Sequence, residues 1–163
     1  MRIFRELAER VLEAPLPEGF EEIESYPVYG DHVFGGIRIL EKDLDLYYHV
    51  IEPPLDGYEE TRKEIVRRLE FVLPSLPPAR DKVSTLKAAY DRILESMKVK
   101  IEDEYYYYTL FYYVLRDTIL YGPITPIMKD RLIEDISCNG YNKPVYVYHR
   151  NYQSLRTNIT FSQ

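Results

Sequence analysis

Tryptophan is absent from this sequence of 163 residues, cysteine occurs once, methionine three times and glycine seven times. A single cysteine excludes an internal disulfide and a four-cysteine zinc site, and it fits a reducing compartment. No apolar run approaches the roughly 18 residues that a membrane-crossing helix needs. The first residues alternate charge with apolar side chains, unlike the apolar core of a signal peptide. Long biased tracts are missing too, which argues against a disordered tail. The 21 basic and 27 acidic residues give a formal charge of −6, without the basic surplus that a phosphate backbone recruits. No nucleic-acid partner is expected. What is present is a 45% hydrophobic chain with 17 tyrosines and 11 prolines, enough for one compact domain or two small ones. The compartment this suggests is the cytoplasm.

Apolar periodicity divides the chain into three regions. Ile3, Phe4, Leu7, Ala8, Val11 and Leu12 recur at helical spacing, with Arg5, Glu6, Glu9 and Arg10 opposite. So short a helix needs a surface to lie on, either its own domain or a partner that captures it. From Tyr26 to Ile51 the period changes to two. Val33 to Leu40 reads as a strand with a bulge or tight bend at Gly35-Gly36. A turn over Glu41 to Asp43 leads into an alternating strand in which Leu44, Leu46, Tyr48 and Val50 share a face. The expected product is a small antiparallel sheet, closed by Pro53-Pro54.

Three helices follow. The first spans Tyr58 to Leu73, and the second Asp81 to Lys98 with Asp81 as N-cap. The third, about Glu102 to Leu120, is aromatic or apolar nearly all round. A helix of that kind is enclosed by its own fold or covered by a partner. The final residues turn extended again: Ile133 to Cys138, a turn at Asn139-Gly140, Val145 to His149, and Asn158 to Phe161. Three such strands leave an open edge, which reads as an incomplete sheet and as the front end of something longer. The fold class is therefore α+β: a small N-terminal antiparallel sheet, a helical middle and an incomplete C-terminal antiparallel sheet.

Catalytic apparatus is not visible. Neither G-x-x-x-x-G-K-[ST] nor G-x-G-x-x-G occurs, so nothing cradles a phosphate. His32, His49 and His149 are widely separated, and His149 at a strand end reads as a surface residue. Cys138 lacks an activating neighbour and reads as a small buried strand residue. Asp43/Asp45 and Glu134/Asp135 read as solvated turn and strand-edge carboxylates. A pocket uniting His49 with Asp43 or Asp45 is what a small enzyme built from scattered side chains would require. No catalytic, cofactor-binding or metal-binding residue is assigned.

One ordered stretch stands above this background. It runs Tyr121-Gly122-Pro123-Ile124-Thr125-Pro126-Ile127-Met128, then Asp130 and Ile133-Glu134-Asp135-Ile136-Ser137-Cys138-Asn139-Gly140. Lys143-Pro144-Val145-Tyr146-Val147-Tyr148-His149-Arg150 follows, and then Leu155, Thr157, Asn158, Ile159 and Phe161. It resembles the region ahead of the ATPase core in archaeal type II/type IV secretion ATPases, the motors of pili and the archaeal flagellum. The resemblance covers about forty residues directly, and the upstream order of small sheet, Glu52-Pro53-Pro54-Leu55 and helices is similar to the same family. It implies a hexameric parent motor that hydrolyses ATP with Mg to drive secretion or filament assembly. The present chain would be its non-catalytic N-terminal region, docking to an inner-membrane platform protein and contacting neighbouring subunits. A stand-alone adaptor without a motor is the alternative. On this reading residues 1–120 form a docking domain, with Ile3–Leu12 and Tyr105–Leu115 as interface candidates. Residues 121–163 would begin a second α+β domain that stops before the ATPase core. No nucleotide residue carries over, because the family's nucleotide loop, acidic boxes and catalytic histidine have no counterpart in these residues.

Overall fold

The computed structural model describes residues 2–76, 78 and 80–162. The elements are α1 (Arg2–Val11), β1 (Glu21–Gly30), β2 (Val33–Lys42), β3 (Asp45–Ile51), α2 (Glu59–Val72), α3 (Lys82–Ser96), α4 (Glu104–Thr118), α5 (Thr125–Met128), β4 (Ile133–Cys138), β5 (Pro144–His149) and β6 (Gln153–Thr160). Single 3-10 turns lie at Leu73–Ser75 and Gly122–Ile124. The α+β class holds, with three antiparallel strands, a helical middle and three further strands.

The C-terminal strands do not start a sheet of their own. They extend the first three into one six-stranded sheet, ordered β1-β2-β3-β6-β5-β4. The junction is a short parallel pairing, Tyr47 opposite Arg156 and Tyr48 opposite Thr157. Asn158 lengthens it: its Oδ1 accepts from the Val50 amide at 2.8 Å and its Nδ2 donates to the Val50 carbonyl at 2.9 Å. One side-chain amide thus satisfies a donor and an acceptor that the ladder would leave bare. Met1–Pro53 with Pro123–Gln163 form one compact unit, and Pro54–Gly122 form the other. This corrects the expected boundary after residue 120. The physical reason is that two three-stranded halves complete each other's backbone pairing and share one core, while the helices are an insertion between β3 and α5.

In the sheet unit, Val28, Ile37, Ile39, Tyr48, Val50, Ile127, Val145, Val147, Leu155 and Ile159 form a continuous buried cluster. On β1 and β2 lies α1, with Phe4, Leu7, Ala8 and Val11 buried. The apolar face of α1 is thus turned onto its own sheet, which corrects its candidacy as a docking helix. Gly36 allows this approach, since a Cβ there would stand 2.6 Å from Leu12 Cδ2. Arg38, buried in β2, closes the end of α1. Its guanidinium donates to the carbonyls of Leu12 at 2.8 Å, Pro15 at 3.2 Å and Ala14, and it pairs with Glu22 at 3.1 Å. A cation at the carbonyl end of a helix satisfies orphan acceptors and is attracted by the negative end of the macrodipole.

Two turn expectations are corrected. β2 runs through Gly35 and Gly36 in register with Val28 and Pro27, and the irregularity falls in β1 between Glu22 and Glu24. The β2–β3 turn is Asp43-Leu44, with φ of 52° and 70°, the two left-handed residues of a tight hairpin. Leu44 therefore sits 92% exposed at the tip rather than facing the core.

In the helical unit, Asp81 caps α3, accepting from the Ser84 amide at 3.1 Å and its hydroxyl at 2.6 Å. Asp103 caps α4 by accepting from the Tyr105 amide at 2.9 Å. Residues Thr109 to Arg116 of α4 are all buried, so this helix is the core of its unit, which corrects its candidacy as an exposed aromatic interface. Tyr90, buried on α3, donates its hydroxyl to the Tyr107 carbonyl at 2.8 Å. Among the described residues no helix is long and apolar enough to cross a membrane.

Candidate functional site

The densest polar constellation lies inside the sheet unit. β5 alternates, and Val145, Val147 and His149 share the inward parity. His149 is consequently fully buried, not the surface residue expected at a strand end. The turn from α5 into β4 delivers Asp130, 6% exposed. β1 contributes Tyr26, and β3 contributes Tyr48.

These four side chains form one connected chain of hydrogen bonds. Asp130 Oδ2 accepts from the Tyr26 hydroxyl at 2.6 Å and from the Tyr48 hydroxyl at 2.7 Å. Its Oδ1 accepts from the Leu132 amide at 2.9 Å. The Asn151 amide donates to His149 Nδ1 at 3.1 Å. In the neutral ring the proton therefore sits on Nε2, which donates to the Tyr26 oxygen at 3.0 Å. Tyr152 lies against the same imidazole, with ring centroids 5.0 Å apart.

The electrostatics favour the protonated tyrosines and the neutral histidine. Burial lowers the His149 proton affinity, and the charges of Asp130 and Glu24 oppose that only in part. Burial, then the hydrogen bond to Asp130, pushes the Tyr26 hydroxyl up. For Tyr48 burial is again the larger cause, followed by the charge of Asp130. A tyrosine with a raised pKa is a proton donor and not an activated nucleophile. This cluster ties four elements of the sheet unit together. A hollow of about 310 Å³ opens beside it, lined in part by Tyr26, Tyr29, Lys129, Asp130 and Arg131.

The remaining candidate residues fall elsewhere. Asp43 and His49 line a common hollow of about 400 Å³ with Phe20, Lys42, Tyr47 and Arg156. Burial, then the charge of Arg38, lowers the pKa of His49. No hydrogen bond joins Asp43 to His49 among the described residues, and Asp45 does not line this hollow. His32 sits beside Phe4, its Nδ1 2.8 Å from Asp31 Oδ1. The three histidines are not brought together. No cluster of three His, Cys, Asp or Glu suited to a metal occurs among the described residues. Glu134 is solvated and 3.5 Å from Arg150. Cys138 is exposed, correcting the expected burial, because β4 is an edge strand.

Sequence reasoning missed Asp130 and both tyrosines as partners. The inward parity of His149 with Val145 and Val147 was the one signal in the sequence that pointed to this cluster.

No family model matches the chain. The chain is 34% identical over 167 residues to a Methanocaldococcus jannaschii protein described as uncharacterized protein MJ1288. That match covers 96% of this chain and 65% of the relative, so the chain spans less than two thirds of the length of the protein it resembles.

Proposed function

We infer that the chain is the non-catalytic N-terminal region of a secretion or filament-assembly ATPase, and that it serves docking and subunit contact while a separate core hydrolyses ATP with Mg. The observation that carries this reading is the use made of Asp130 and His149. Both belong to the ordered stretch that resembles the secretion ATPases, and both are committed to a buried hydrogen-bond chain with Tyr26 and Tyr48. A carboxylate that already accepts three hydrogen bonds is suited to holding a scaffold together, and less so to attacking or protonating a substrate. The polar residues of the stretch thus work as an internal clamp. Its location would be cytoplasmic, held near the membrane by an inner-membrane platform protein.

The test is capture of the tagged full chain from membranes of its source cell after mild cross-linking. The expected partners are an integral membrane platform protein and a protein carrying a G-x-x-x-x-G-K-[ST] loop. Stoichiometric recovery of a soluble assembly lacking both would contradict the reading and favour the stand-alone adaptor.

The catalytic alternative rests on one observation, the hollow that Asp43 and His49 share.

A further inference from the structure

The sheet ends at β4, whose outer edge pairs with no strand among the described residues. Three features coincide there. Ile133 and Ile136 are only partly buried against the core cluster, and neighbouring Met128 is 48% exposed. Beside the edge lies a hollow of about 370 Å³, lined by Ile127, Met128, Ile133 and Ile136 together with the carboxylates Asp130, Glu134 and Asp135. The only charged residues of β4 are Glu134 and Asp135. Glu134 is half-exposed and meets Arg150 at 3.5 Å, a solvated pair that an incoming cation can displace at small cost.

We propose that the outer edge of β4 receives an extended segment of a partner protein in which apolar and basic residues alternate. Backbone groups left bare by β5 on one side supply the ladder. Alternate apolar side chains enter the Ile127–Met128–Ile136 hollow and seal the open end of the core. The intervening basic side chains meet Glu134 and Asp135. A second copy of β4 fits poorly, because antiparallel self-pairing in full overlap sets both Asp135 residues beside the two-fold axis. The charges and the bulge at Glu134, between Ile133 and Asp135, are devices that keep like edges apart. The proposal deepens the docking reading and rests on it, and it adds the chemistry of the segment recognised.

The experiment measures amide exchange of the full chain, residue by residue, with a soluble peptide of about seven alternating lysines and valines as probe. Two control peptides carry glutamate for lysine, or N-methyl groups on alternate amides that block a ladder. The expected result is slowing of about tenfold in alternate amides of residues 133–138 at excess lysine peptide, and none with either control. Glu134→Lys with Asp135→Lys, at exposed positions that leave the core intact, should transfer the preference to the glutamate peptide. Protection by the N-methylated peptide would show charge attraction alone and overturn the proposal. So would protection at the Lys129–Arg131 hollow instead of β4, or protection that rises with protein concentration in the absence of peptide. Any of these outcomes leaves the capture of a platform protein untouched, so the two readings fail separately.

Discussion

Tyr48 and Asp130 lie 82 residues apart in sequence, yet the Tyr48 hydroxyl donates to Asp130 Oδ2 at 2.7 Å inside the sheet unit. The entire helical unit is inserted between them. The bond ties β3 of the N-terminal half to the turn that launches β4.

Removing the acceptor should therefore cost more than removing one donor. Asp130→Ala leaves two hydroxyls and the Leu132 amide without their acceptor, and should destabilise by about 3 kcal/mol or more. Tyr48→Phe removes a single donor from an acceptor that keeps two others, and should cost about 1–2 kcal/mol. Urea unfolding of both variants decides the order. Equal losses would mean that Asp130 does not hold the cluster.

Acid should weaken the fold through histidine. Burial lowers the pKa values of His149 and His49 from the ordinary 6.5. Below about pH 6.5 the unfolded chain binds protons that the folded chain does not, so this contribution is full above 6.5 and is lost as pH falls toward the folded values. The urea midpoint followed downward from pH 7 should drop, with a shallower slope in His149→Gln. An unchanged slope in that variant and in His49→Gln would locate the sensitivity elsewhere.

The close approach of α1 gives a coupled pair. Gly36→Ala places a methyl 2.6 Å from Leu12 Cδ2, and should cost about 1–3 kcal/mol. Leu12→Ala relieves that clash. The double variant should be more stable than the sum of the singles by more than about 0.5 kcal/mol. Simple additivity would show that Leu12 does not press on β2.

The parallel seam has its own probe. Asn158→Ala strips partners from both polar groups of Val50, and should destabilise by about 1–2 kcal/mol. Faster exchange of the Val50 amide should accompany it. Retained protection there would mean that β3 and β6 are joined by the ladder alone.

Local chemistry was legible in the sequence and distant pairing was not. β4 was readable at its full length, and Asp81 was identifiable as a cap, because each depends on neighbours within a few residues. The joining of β3 to β6 left no trace in periodicity, since a parallel pair is made by residues a hundred positions apart. That one hidden pairing caused the misplaced domain boundary, and it covers one edge of the C-terminal strands and leaves the other at β4. Nothing local marks Arg38 as buried, because its carbonyl partners are presented only once α1 folds back onto the sheet. Asp130 sits in a turn outside any periodic pattern. His149 was within reach, because its parity matches two buried valines.

The most direct measurement of the functional account is the sequence of the source locus on both sides of the codons for this chain. The account predicts a G-x-x-x-x-G-K-[ST] loop followed by acidic motifs, either in the same frame or in the adjoining gene. A locus that encodes no nucleotide-hydrolysing core beside this region would contradict it.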